Sequence, residues 1–224
     1  RDKLVTGVQT CALPILIRNE YENIGKRKIT EDKIPLRLEI DSFISFVRDE
    51  HAPVDTWKNA PIISGTEQKD KIKTLIQEWL VTPWPYFEET IVNEKYPRIK
   101  KAFASKEAIM MLNDDDLFEA LAVAHSFGDR FRFYKGSTPT QKIEFFKNND
   151  GKRIRESLVY LIFGTDEAVR RLANVIFNSK YKLNEFGQAN AQEILGWVGG
   201  NDLPVINGRT TKVLRYFGFD VRQL

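Results

Sequence analysis

The chain reads as an all-α, multi-helix globular protein, and three observations predict this. Apolar residues recur three and four positions apart along most of the chain. No window alternates at every second residue between hairpin turns, so strands are not expected. Capping and stop residues punctuate the apolar stripes at helical lengths. Of 224 residues, 42% are hydrophobic, 12% aromatic and 29% charged. That composition can bury one sizeable core or two smaller ones and is too apolar for a disordered chain.

About nine helices are expected. Leu38, Ile40, Phe43, Ile44 and Val47 form a stripe ending near Glu50. Ser64-x-x-Glu67 has capping-box form ahead of Ile72, Leu75, Ile76, Trp79 and Leu80. Pro83 and Pro85 break that helix, and Trp84 to Tyr96 forms another. Ser105 is placed to cap Lys106–Leu112, and Asp114 to cap Asp115–Phe127. Thr138, Pro139 and Gln141 mark the start of Pro139–Lys147. Lys152–Phe163 ends at Gly164, and Thr165 caps Asp166–Phe177. Gln188–Val198 is followed by the turn Gly199-Gly200-Asn201-Asp202, an extended Leu203–Ile206 and the turn Asn207-Gly208. A last helix, Arg209–Phe217, stops at Gly218. Gly25–Pro35 and Val54–Gly65 read as loops.

Composition excludes several classes. No apolar run approaches the roughly 20 residues of a membrane span. One Cys rules out an internal disulfide framework and a cysteine-built zinc site. With two His, no metal centre is expected, and no cofactor is implied. No Gly-x-x-x-x-Gly-Lys loop and no Gly-x-Ser-x-Gly elbow occurs. The net charge of +3 conceals an acidic first half, −4 over Leu16–Phe127, and a basic middle, +6 over Gly128–Asn184. The division expected from charge is 16–127 and 128–224. Such asymmetry suits an anionic partner or two faces that attract each other.

The first fifteen residues stand apart. Val5–Ile15 resembles the in-frame translation of a short-read sequencing adapter, and it lacks the continuous apolar core of a signal peptide. The native chain is then expected to begin near Leu16 as a fragment, and Cys11 goes with the adapter-like run. A cysteine-free native chain suits a cytoplasmic setting.

The most informative stretch is Tyr181–Val221. A turn at Glu185–Gly187 just before a helix start offers exposed amides and a helix dipole to one phosphate. The stretch resembles the helix-hairpin-helix module, with its following helices, of the DNA glycosylase superfamily. Leu183-Asn184-Glu185-Phe186-Gly187 stands where that family has Leu-Pro-Gly-Val-Gly. Ala191 stands on its small residue, Ile194-Leu195 on its aliphatic pair, and Leu203–Asn207 on the apolar run into the catalytic aspartate. The interval from Gly187 to Asn207 is 20 residues, as in the family, and the resemblance covers about 40 residues of 224.

The departures bear on function. Glu185 replaces the first hairpin glycine, and Asn207 replaces the catalytic carboxylate. An amide cannot take a proton from an attacking water. No hairpin lysine is present to form a Schiff base. The resemblance therefore implies a non-catalytic scaffold that holds DNA or another nucleic-acid backbone. The expected contacts are Gly187, Gln188, Ala189 and Asn190 at the hairpin. Asn207, Arg209, Thr210, Lys212 and Arg215 are expected on the last helix, with the three cations sharing one face. Similar modules occur in proteins resembling restriction and defence ATPases, so a restriction, defence or repair system is the implied setting. The competing class is a protein-interaction or regulatory domain of a larger enzyme, with a protein partner. The weakest is an active glycosylase using another acid.

Other patterns read as structure. Lys152, Arg153, Arg155, Arg170 and Arg171 form a second basic cluster on what is expected to be solvated helix surface. His125–Tyr134 alternates aromatic and charged residues as a single-strand surface can, but aromatics so placed more often pack a core. Asp114-Asp115-Asp116 point in three directions and suit a helix start better than a metal. Asp55 with Glu67-Gln68-Lys69 echoes a nuclease pattern, yet Glu67 lies at a helix start rather than on a strand.

Overall fold

The computed structural model describes residues 15–129, 138–199 and 204–221. The adapter-like run up to residue 14, the aromatic-basic Arg130–Tyr134 and the turn residues Gly200–Leu203 lie outside them. The described residues are helical with turns and contain no strand. None of their helices is long and apolar enough to cross a membrane. Among the described residues, helices number more than the nine expected: helices at 15–24 and Val54–Lys58 lie where none was expected, and two of the longer ones are broken.

Packing groups the chain as Arg1–Val92 with Asn201–Leu224 and, separately, as Asn93–Gly200. The charge-based division at 127/128 follows composition; this one follows contacts.

The first unit holds α1 (15–24), α2 (Leu36–Glu50), α3 (Val54–Lys58), α4 (Gly65–Val81) and, from the end of the chain, α13 (Gly208–Tyr216). Helix α2 packs against α4 and α13, and α13 also against α3. The core is aromatic: Phe46 and Phe87 lie 5.4 and 5.3 Å from Trp79, and Phe43 stacks on Phe217 at 6.4 Å. Burying one such side chain contributes about 1.5–3 kcal/mol. Beside this core, the fully buried Glu39 carboxylate accepts from the Tyr21 hydroxyl, from Arg27 Nε at 2.8 Å and from the Lys28 amide at 2.7 Å. Trp79 Nε1 donates to the Tyr21 hydroxyl at 3.0 Å. Lys28 Nζ donates to the Trp79 carbonyl at 2.8 Å and to that of Thr82, closing the end of α4. Burial, then the Glu39 charge, holds the Tyr21 hydroxyl far above the tyrosine range, and burial pushes the Lys28 ammonium down.

Two expectations fail in this unit, and a third holds in altered form. Ser64 precedes α4 but its side chain caps nothing. Gly65 follows it at φ +68, and Gln68 donates to the carbonyls of Ile63 and Phe217, both at 3.2 Å. The loop expected over Val54–Gly65 begins with α3. The helix expected from Trp84 is π-helical over Tyr86–Lys95 and continues as α5 (Tyr96–Ala102). Pro97, in the first turn of α5, has no N–H to donate to the turn before it.

The second unit contains α5, α6 (Lys106–Met111), α7 (Asp114–Leu121), α8 (His125–Gly128), α9 (Thr138–Asn148), α10 (Gly151–Phe163), α11 (Ala168–Phe177) and α12 (Gln188–Val198). Ser105 caps α6 as expected, accepting from Ala108 N at 3.1 Å. Asn113 rather than Asp114 caps α7, accepting from Asp116 N at 2.8 Å. The helix expected to run to Phe127 stops at Leu121. Buried Glu193 of α12 accepts the amides of His125 and Ser126 at 2.8 Å each, which starts α8 anew. Gln141 donates to the Phe127 carbonyl at 2.8 Å instead of completing a capping box. Helix α11 begins at Ala168 after Glu167, and Asp166, outside it, accepts the Tyr160 hydroxyl at 2.7 Å. Phe127 is the hub of this core, 5.1, 5.6 and 6.1 Å from Phe145, Phe118 and Phe186.

Candidate functional site

The turn Leu183–Gly187 is anchored by two buried side chains, Leu183 and Phe186. Its backbone is clamped to the end of α9. The Asn184 amide donates to Asn149 Oδ1 at 2.7 Å, Asn149 Nδ2 returns a bond to the Asn184 carbonyl at 3.0 Å, and Asn184 Nδ2 donates to the Asn148 carbonyl at 2.7 Å. Between the two anchors Glu185 adopts φ +63, the one non-glycine residue with positive φ among those described. This is the position at which the resemblance to the DNA glycosylase superfamily leads one to expect a glycine. A side chain there costs about 1–2 kcal/mol. The Glu185 carboxylate accepts from Asn148 Nδ2 at 2.8 Å.

Gly187 is the N-cap of α12. Its amide donates to Asn190 Oδ1 at 3.0 Å, and buried Asn190 donates onward to Ser126 Oγ at 3.3 Å. Asn190 is therefore a capping residue. Gly187, Gln188 and Ala189 are exposed, and a Cβ at Gly187 would meet nothing within 4 Å. First-turn amides have no partner inside a helix, so this end of α12 is open and positive. Lys180 and Lys182 are exposed just before the hairpin and have no ion-pair partner among the described residues.

The remaining expected contacts lie on α13, in the other unit. Asn207 is its buried N-cap: Oδ1 accepts the amides of Arg209 at 2.9 Å and Thr210 at 3.3 Å. Its Nδ2 faces Asp41 Oδ1 of α2 at 3.4 Å. A carboxylate at 207 would stand against the Asp41 carboxylate, whereas the amide offers it a donor. Thr210 is fully buried and accepts the Asn207 amide at 3.3 Å. Arg209 donates to Ser45 Oγ at 2.7 Å, and Lys212 stands 5.9 Å from the Trp57 ring centre. Arg215 is half-buried, with one guanidinium nitrogen enclosed and unpartnered. Arg209 and Lys212 are thus engaged with α2 and α3.

The basic cluster of the middle region is spent largely on its own fold. Arg155 donates to the Leu112 carbonyl at 2.6 Å and pairs with Asp114 at 2.7 Å. Arg171 donates to the carbonyls of Leu161 and Ile162 at 2.6 Å each. Arg153 holds the carbonyls of Ser179 and, at 2.9 Å, Lys182, while Lys142 pairs with Asp115. Lys152 pairs with Glu156 at 3.8 Å and Arg170 with Asp166 at 3.9 Å. No group of three His, Cys, Asp or Glu among the described residues is placed to hold a metal. His125 pairs with Asp129 at 3.0 Å, and Asp55 and Glu67 lie in the first turns of α3 and α4.

Nothing in the local sequence marks Asn148, Asn149 or Asp41 as part of a site. The run Asn148-Asn149-Asp150 between two apolar stripes signals a turn, yet nothing local says that it grips residues 35 positions away. No family model, curated protein or solved structure matches this chain.

Proposed function

We propose that the protein binds nucleic-acid backbone without acting on it chemically, using the Leu183–Gly187 hairpin and the first turn of α12. The observation that carries this reading is the left-handed Glu185 followed by an uncovered Gly187. A phosphate oxygen can approach the amides of Gln188 and Ala189 unobstructed, with Lys180 and Lys182 close by in sequence. Asn207 at the expected carboxylate position favours binding without base release, because its amide is committed to capping α13. The resemblance to the DNA glycosylase superfamily, whose modules also occur in restriction and defence systems, points to a restriction, defence or repair setting.

The test is binding of duplex and single-stranded DNA to the full chain across a salt series. The reading expects affinity that falls linearly on a log–log plot with added salt. Absence of binding to both at low ionic strength removes it, and release of free base replaces it with the glycosylase reading. A protein-docking role is favoured by a separate observation: Val169 and Phe177 of α11 are 75% and 78% exposed.

A further inference from the structure

Within the Asn93–Gly200 unit, a surface cavity of about 670 Å³ lies between α10, the turn after it and the loop before the hairpin. One wall is a pair of stacked tyrosines, Tyr160 and Tyr181, with ring centres 3.9 Å apart and planes inclined by 6°. The pair is rigidly held. The Tyr160 hydroxyl donates to Asp166 Oδ2 at 2.7 Å and accepts from Asn174 Nδ2 at 2.6 Å. Arg153 of α10 grips the carbonyls of Ser179 and Lys182, on either side of Tyr181. The loop bearing one ring is therefore tied to the helix bearing the other. Val159 and Phe163 add apolar lining.

The charges around this cavity are unequally committed. Asp166 is used by the Tyr160 hydroxyl and Arg170, and Glu156 by Lys152. Lys106 and Lys180 are exposed and have no ion-pair partner among the described residues. Lys180 Nζ stands 5.0 Å from the centre of the Tyr181 ring. Tyr160 covers one face of that ring, so the lysine lies over the other. A flexible ammonium on an aromatic face is a weak contact that a flat ligand can displace.

We propose that this cavity binds one nucleotide unit, its base stacked on the outer face of Tyr181 and its phosphate met at the rim carrying Lys180 and Lys106. The volume lies within the range of small-ligand sites, and stacking with a nearby cation is how proteins hold unpaired bases. A free mononucleotide and one unit of a single strand share this chemistry. The site uses residues other than the hairpin amides and does not depend on the backbone contact proposed above.

The experiment is calorimetric titration of the full chain with AMP, adenosine and a short oligodeoxyadenylate. Saturable binding of AMP identifies a free nucleotide, and binding of the oligonucleotide alone identifies a strand. Tyr181→Ala weakens that binding roughly tenfold, whereas Tyr181→Phe, which keeps the ring, stays within about twofold. The double variant Lys106→Ala/Lys180→Ala weakens AMP and leaves adenosine unchanged. Gly187→Asp leaves AMP binding intact. The proposal is overturned if neither AMP nor the oligonucleotide binds. It is equally overturned if Tyr181→Ala and the double lysine variant, both folded by circular dichroism, bind as the unaltered chain does.

Discussion

Replacing Glu185 by Gly and, separately, by Ala isolates the backbone geometry on which the hairpin reading rests. Glu185 has φ +63, where any side chain costs about 1–2 kcal/mol. Both replacements remove the bond from Asn148 Nδ2 to the carboxylate, so that loss cancels between them. Alanine keeps the Cβ and its strain. Glycine relieves the strain but gives the unfolded chain extra freedom, at a cost of about 0.5–1 kcal/mol. The glycine variant should therefore be more stable than the alanine variant by about 0.5–1 kcal/mol. At a helical or extended position the order reverses by a similar amount. Urea unfolding followed by circular dichroism reads the difference, and in melting it corresponds to roughly 1–4 °C for a chain of this size. Because both variants also remove a negative charge beside the proposed phosphate position, both should bind DNA more tightly at low salt, and equally so. An alanine variant as stable as the glycine variant means that residue 185 is not left-handed, and the hairpin argument goes with it.

Three further outcomes are expected. Gly187→Asp supplies the N-cap acceptor that α12 lacks and a charge favoured by the helix dipole, so the melting temperature holds or rises by about 1–3 °C. The same variant should bind DNA more weakly, with the salt slope reduced by roughly one phosphate; unchanged affinity and slope would show that α12 does not meet the backbone. Glu193→Ala leaves the amides of His125 and Ser126 without their buried acceptor, at a cost of about 1–3 kcal/mol; a loss below 1 kcal/mol in urea unfolding contradicts this. The Tyr21 hydroxyl is held above its ordinary value of 10.0, mainly by burial. The unfolded chain therefore releases this proton from about pH 10 upward while the folded chain retains it, so stability falls as pH rises. Tyr21→Phe should be less stable by about 1–3 kcal/mol at neutral pH, because Glu39 and Trp79 each lose a partner, and should lose less on going alkaline. Parallel pH curves for the two proteins argue against a retained proton.

Local sequence determined the helical class, the bounds of α12 to the residue and those of α13 to within one. In each case an apolar stripe of period 3.6 meets its own stop residue, as α13 meets Gly218 at φ +86. It also placed a tight turn around Glu185–Gly187, and the chain turns at Asn184–Glu185. Tertiary structure decided what the polar groups are for. Nothing local distinguishes Glu193, yet it is buried and ends the long helix expected through Phe127 by capturing two amides 67 and 68 residues away. Arg209 and Lys212 looked like a phosphate-facing row, but α13 lies against α2 and α3, so one reaches Ser45 and the other Trp57. Tyr160 and Tyr181 are ordinary aromatics 21 positions apart until the chain stacks them over a cavity. Periodicity reports which face of a helix is buried. It carries no record of which distant donor a charge will meet, because that pairing exists only once the backbone has folded back on itself.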